Sequence, residues 1–144
     1  MESEGLVLEK IRDDLFRLCA PSFMWPATAA VYVVTDSEGF SMIDVGCGSA
    51  GALGRLKAGL AGLGLDLSCL KTLVLSHAHP DHMGAAKSLL DQYRPTVLIH
   101  TADAEHARDP RGLIDTFDIE LAKHLYGRVE GPVGDLFSFF DGSG

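Results

Sequence analysis

Three of the chain's six histidines fall in one short run, His77-Ala78-His79-Pro80-Asp81-His82, with an aspartate among them. In an extended chain, residues i and i+2 point to the same side, so His77 and His79 present two imidazoles to one point. Pro80 has no backbone N–H to donate and suits the turn or first helical position that follows. Asp81 and His82 then project from the start of that helix, beside the first pair but offset from it. The spacing therefore predicts two neighbouring pockets, one lined by His77 and His79, the other by Asp81 and His82. Neutral imidazole and carboxylate are ligands for zinc, and for iron or manganese under a different supply. Two such ions side by side can hold a bridging water, lower its pKa towards neutrality and polarise a carbonyl or phosphoryl oxygen. No serine or cysteine nucleophile is needed. The competing reading is a surface loop that happens to be rich in histidine; the clustering and the strand-to-helix setting favour the metal. His100, His106 and His124 each stand alone and read as structural or solvent-exposed.

The elements that must hold this run are legible on either side of it. Residues 72–76 (TLVLS) form a continuous apolar run, as expected of a strand covered on both faces. Residues 82–93 follow as a helix with Met83, Ala86, Leu90 and Tyr93 on one side. Arg94-Pro95 ends it, residues 96–100 (TVLIH) read as another buried strand, and residues 102–108 as a short helix. Upstream, residues 6–11 and 15–19 flank Arg12-Asp13-Asp14 as strand, turn and strand. Residues 29–35 (AAVYVVT) and 40–45 (FSMIDV) flank Asp36-Ser37-Glu38-Gly39, a hairpin loop with glycine at its end. Residues 49–63 carry Leu53, Leu56, Leu60 and Leu63 at helical spacing. Gly51, Gly54, Gly59 and Gly62 each weaken that helix by roughly 1 kcal/mol relative to alanine, so packing must hold it together. Beyond Asp109-Pro110-Arg111-Gly112, Leu113, Phe117, Leu121 and Leu125 repeat every four residues and mark a longer helix. A glycine-rich tail over residues 129–144 bears a Phe137-Ser138-Phe139-Phe140 patch. The order is that of a mixed α/β domain. The histidine run lies beyond the carboxyl end of a strand, where ligand-bearing loops of such domains gather.

Composition narrows the function further. A chain of 144 residues suits a single domain over residues 1–144, large enough to enclose a core. Its 47% hydrophobic and 22% charged residues are a globular balance. A net charge of −8 argues against a partner bound through phosphate neutralisation, whether nucleic acid or an anionic membrane surface. The cysteines, Cys19, Cys47 and Cys69, are odd in number and widely spaced, which indicates neither a disulfide framework nor a zinc knuckle. They read as small buried apolar side chains. Met1-Glu2-Ser3-Glu4 lacks the basic and apolar regions of a signal peptide, and the apolar stretch over residues 23–34 is too short to span a bilayer. A reducing, cytoplasmic setting is expected.

The segment Ser76-His77-Ala78-His79-Pro80-Asp81-His82-Met83-Gly84 resembles the signature of the metallo-β-lactamase superfamily, in which Thr or Ser precedes His-x-His-x-Asp-His and Gly follows. Met42-Ile43-Asp44-Val45-Gly46 is similar to that family's strand ending in Asp-x-Gly, whose aspartate supports the metal-binding loop from behind, a role carried here to Asp44. The resemblance implies an αβ/βα sandwich with two zinc ions at one end of its seam; iron or manganese can stand in for zinc. It also implies hydrolysis of a small-molecule ester, thioester, lactone, amide or phosphodiester by a metal-activated water. His77 and His79 would hold one ion, Asp81 and His82 the other, and Asp81 would orient the attacking water as well. The first 110 residues follow the family's order of elements. The family's third histidine, usually in a Gly-His-x-x-Gly-like run, has no counterpart, nor does the bridging aspartate; Phe140-Asp141-Gly142 resembles the segment that comes before that run. The chain is therefore expected to be roughly the first βα half of the fold, a fragment or a half-domain completed by a C-terminal half or by a second copy. Such a half would bind metal weakly by itself and expose an apolar sheet face.

Two other readings carry different expectations. Gly46-Cys47-Gly48-Ser49-Ala50-Gly51 satisfies Gly-x-Gly-x-x-Gly between a strand and a helix. Through Asp44-Val45-Gly46-Cys47-Gly48 it would bind a dinucleotide, or S-adenosylmethionine, whose enzymes it also resembles. Both cofactors want an acidic residue at the end of the next strand, and Ser76-His77 stands there instead. The other reading is a non-catalytic or partner-dependent half-domain that retains the half-site without turnover.

Overall fold

The computed structural model describes residues 6–19, 30–48 and 51–109. The helix expected over residues 113–125, His124, the tail, Ser49 and Ala50 lie outside the described residues. Within them the chain runs through β1 (Val7–Arg12), β2 (Leu15–Cys19), β3 (Val31–Asp36), β4 (Gly39–Ile43), α1 (Ala52–Ala61), β5 (Leu70–Leu75), α2 (Pro80–Met83), α3 (Ala86–Tyr93), β6 (Thr96–Ile99) and α4 (Ala104–Arg108). Short 3-10 turns at Leu67–Cys69 and Thr101–Asp103 lead into β5 and α4.

The strands form one six-stranded sheet in sequence order. β1 to β4 pair antiparallel, with tight turns between β1 and β2 and between β3 and β4, whereas β4, β5 and β6 run parallel because helices carry the chain back between them. At Gly39, which opens β4, φ is +149° and an added Cβ would lie 2.7 Å from the Cys69 carbonyl oxygen. Only glycine lets the hairpin close so near the turn before β5.

Register decides which side chains meet. Phe16, Val33, Met42, Leu73 and Val97 align across β2 to β6. Val33, Met42 and Leu73 of that row are fully buried in the core. Leu56 and Leu60 of α1 and Leu89 of α3 cover this side of the core, each burial contributing about 1.5–3 kcal/mol. Of the glycines within α1, Gly59 serves packing, whereas a Cβ on Gly54 would meet nothing. A Cβ on Gly59 would come within 3.1 Å of Leu18, so the glycine lets the helix settle on β2.

The alternate row, Tyr32, Ile43, Val74 and Leu98, faces the other way. Ile43 is 38% exposed and Leu98 52% exposed. The expectation that β5 and β6 are covered on both faces thus holds for one face only; apolar runs report potential burial, and the described residues supply cover on one side. The helix expected over residues 82–93 is also divided. The Ala85 amide donates to the Gly46 carbonyl at 3.1 Å instead of to the preceding helical turn, so α2 stops and α3 begins afresh. Among the described residues no helix is long and apolar enough to cross a membrane.

Candidate functional site

The histidine run leaves β5 at Ser76 and is gripped at both ends by the loop that leaves β4. The Asp44 amide donates to the Val74 carbonyl at 2.8 Å, extending the parallel ladder by one step beyond Ile43. Asp44 then turns into the left-handed region at φ 62°, a conformation that aspartate tolerates better than most residues. The turn aims its carboxylate at the run. Oδ1 accepts from the Ser76 amide at 2.8 Å, and Oδ2 accepts from Ser76 Oγ at 2.8 Å and from His82 Nδ1 at 2.7 Å. The side chain is only 7% exposed, so these partners stand in for water. The Val45 and Gly46 amides both donate to the His82 carbonyl, at 2.9 and 3.2 Å. In the middle of the run, the Ala78 amide donates to Asp103 Oδ2 at 3.0 Å. The His82 and Met83 amides return to the His79 carbonyl and start α2.

This turn brings the imidazoles into one cluster. The His77 ring lies 4.6 Å from that of His79 and 4.1 Å from that of His82, centroid to centroid. The two neighbouring pockets expected from spacing are therefore not far apart, because all three rings share one cluster. α2 starts so soon after His79 that His82 swings back over Ser76, where Asp44 holds it, and His77 sits between the other two rings. Asp81 is at the cluster's edge, with Oδ2 3.4 Å from His82 Nε2. Among the described residues no group of three or more histidine, cysteine, aspartate or glutamate side chains is arranged to hold a metal ion. The donor chemistry nevertheless suits a divalent cation: three imidazoles beside one carboxylate, two of them anchored through Nδ1.

Burial holds the His77 imidazole below its ordinary pKa; the neighbouring His82 and His79 add to this, and Asp44 and Asp81 oppose it. The folded protein therefore resists charging His77, whereas the unfolded chain takes up that proton near the ordinary value of about 6.5. Stability supplied by the neutral ring is full above that pH and is lost as pH falls through the lower folded value. The urea midpoint of metal-free protein is expected to drop between about pH 7 and pH 5. His77→Gln should flatten that drop, and an equal slope in both proteins would contradict the assignment.

Two residues of this architecture, Ser76 and Asp103, were not among the expected donors, although Ser76 stands before His77 in the signature. Ser76 adjoins the run, which was the available signal; Asp103 lies 25 positions beyond Ala78 and had none. His100 accepts from the Ala102 amide through Nδ1 and so starts the turn before α4. At the start of the glycine fingerprint the Gly46 amide, like that of Val45 before it, is spent on the His82 carbonyl and is not offered to a phosphate; Ser49 and Ala50 of the fingerprint lie outside the described residues. The cysteines are not uniformly buried: Cys47 is buried, Cys19 intermediate and Cys69 exposed, and no disulfide links them. An open apolar groove of about 450 Å³ lined by Leu75, Met83, Leu90, Val97, Ile99 and Ala107 includes none of the donors of the run.

Comparison with known proteins places this arrangement among relatives. The profile of the metallo-beta-lactamase superfamily matches residues 25–143. Among solved structures, BJP-1, a subclass B3 metallo-beta-lactamase of Bradyrhizobium japonicum, is 21% identical with a TM-score of 0.59, over 72% of this chain and 36% of that one. FEZ-1 from Legionella gormanii is 19% identical with a TM-score of 0.60, over 74% of this chain and 37% of that one. GOB-18 from Elizabethkingia meningoseptica is 22% identical with a TM-score of 0.59, over 72% and 36%. At these identities the likeness is one of fold. The chain spans little more than a third of the length of these solved structures. Comparison with curated protein sequences gives no match.

Proposed function

Because the chain belongs to the metallo-β-lactamase superfamily, we propose that its histidine cluster is one part of a metal-dependent hydrolase centre. The mixed sheet with its helices has the metallo-β-lactamase fold, of which the chain covers a portion. The observation that carries the proposal is the meeting of His77 with His79 and His82, all within the family's characteristic run, with His82 held by the buried Asp44 carboxylate. In this reading His77 and His79 hold one ion and Asp81 and His82 a second. Zinc is the metal that suits this donor set best; iron or manganese would accept it too. The bound metal would supply Lewis acidity and a water ionised near neutral pH. The chain's own part is positional. Asp44 holds His82 through Nδ1, leaving Nε2 on the side of Asp81 for an ion, and the Asp81 carboxylate would accept a hydrogen bond from the attacking water and orient it.

The substrate class is a small molecule with an ester, thioester, lactone, amide or phosphodiester bond. The net charge of −8 weighs against nucleic acid. A cytoplasmic setting belongs to the same proposal, supported by the unbridged cysteines. The exposed apolar row of Ile43 and Leu98 supports cover by a second sheet, from another βα half or a second copy of this chain. A non-catalytic, partner-dependent half-domain remains the second reading, favoured by the absence of a closed donor set among the described residues.

Calorimetric zinc titration, run beside size exclusion and a panel of lactam, lactone, thioester and phosphodiester substrates, tests the proposal. The chain alone is expected to bind zinc more weakly than the roughly 10–16 kcal/mol of closed structural sites. Any hydrolysis it shows should vanish with a chelator. Two tight sites on a monomer would refute the incomplete donor set, and no zinc binding at all would favour the non-catalytic reading.

A further inference from the structure

We infer that Ser76 is a positioning residue, its hydroxyl joining the Asp44 carboxylate to His77 Nδ1 so that this imidazole presents the Nε2 lone pair to a cation. The inference rests on the metal reading above and adds to it a residue outside the four donors. Ser76 Oγ lies 2.8 Å from Asp44 Oδ2 and 2.9 Å from His77 Nδ1. A hydroxyl has one proton to donate and a carboxylate only accepts, so the Ser76 proton points at Asp44. The Oγ lone pairs then face His77, and Nδ1 must carry the hydrogen that completes the contact. A neutral imidazole has a single N–H, which leaves Nε2 with its lone pair, the form that binds metal.

The same carboxylate oxygen stands 2.7 Å from His82 Nδ1. One anchor thus orients two rings, directly for His82 and through the hydroxyl for His77. Ser76 Oγ is 3.5 Å from His82 Nδ1, and that ring's hydrogen goes to the shorter contact. Ser76 is itself exposed, so packing makes no demand for a hydroxyl there.

The tautomer can be read directly in metal-free, 15N-labelled chain from long-range 1H–15N spectra of the imidazole nitrogens at about pH 8, where free imidazole is neutral. His77 is expected to carry its hydrogen on Nδ1. Ser76→Ala should move it to Nε2 and weaken zinc binding by about 10- to 100-fold, and Ser76→Thr should restore both. His77 found with its hydrogen on Nε2 in the unsubstituted chain would overturn the inference; so would an Nδ1 hydrogen that survives Ser76→Ala in a folded protein. If the alanine variant does not fold, the spectrum of the unsubstituted chain still decides. Zinc that fails to shift the Nε2 resonance of a correctly oriented ring would sink the metal reading and leave the hydrogen-bond relay standing. Unaltered zinc affinity in Ser76→Ala would do the reverse.

Discussion

On the proposed metal-centre reading, alanine at His77 is expected to strip zinc, and with it metal-dependent hydrolysis, from the complete enzyme. His77 sits between the other two imidazoles, 4.6 Å from the His79 ring and 4.1 Å from the His82 ring, so its loss opens the cluster at its centre. A methyl group offers no lone pair, and one remaining imidazole cannot hold an ion against water. Lewis-acid polarisation is worth several kcal/mol in the transition state, and each 1.36 kcal/mol is tenfold in rate, so a fall of about 10³-fold or more is expected. His79→Ala should act alike. His106→Ala, on α4, should leave zinc content unchanged. The fold itself should tolerate His77→Ala, because the variant removes a partly buried ring whose charging is disfavoured. Zinc per chain and the urea midpoint, measured on the same samples, separate lost ligation from lost structure. Full zinc content in His77→Ala would remove the basis for the metal assignment.

Asp44→Ala is expected to cost about 3 kcal/mol of stability, the sum for hydrogen-bond donors left without a buried acceptor. The carboxylate accepts from the Ser76 amide, Ser76 Oγ and His82 Nδ1. Alanine would also have to adopt the φ of 62° at this position, which adds roughly 1–2 kcal/mol for an L-residue. Asp44→Asn separates the two roles. Asparagine tolerates the backbone conformation and its oxygen can still accept from the Ser76 amide, but its NH₂ then meets Ser76 Oγ and His82 Nδ1. The Ser76 hydroxyl can turn round and accept, but the His82 Nδ1 contact needs an acceptor, so that ring loses the partner that orients Nε2. Stability should fall by only about 1 kcal/mol in this variant, while zinc affinity drops about 10- to 100-fold. Urea denaturation and zinc titration of both variants test this; an Asp44→Ala protein within about 0.5 kcal/mol of the original would exclude the anchor role.

Much of the frame was legible because its signals are local. β3 and β4 read correctly from alternation on either side of Asp36-Ser37-Glu38-Gly39, and α1 from leucines at helical spacing, of which Leu56 and Leu60 are buried. β1, β2, β5 and β6 fall within a residue or two of their expected places. The misreadings share a different cause. The helix after the histidines divides at Ala85 because Gly46, far away in sequence, takes its amide hydrogen. β6 looks buried in composition yet leaves Leu98 half open, because burial depends on what else packs on the sheet.

The candidate site follows the same division. The sequence alone determined which side chains could bind a cation, since His77, His79, Asp81 and His82 lie within one run whose spacing and chemistry need no outside reference. It also marked Asp44, through the likeness of its strand to a known pattern. Only tertiary structure decided that all three rings would meet in one cluster. The parallel pairing of β4 with β5 sets Asp44 beside Ser76, and that carboxylate then pulls His82 back towards His77. Asp103 reaches Ala78 in the same way, across a distance in sequence that no local pattern spans. Residue types and spacing are properties of a short segment, whereas the direction of a hydrogen bond depends on which distant segments the sheet brings side by side.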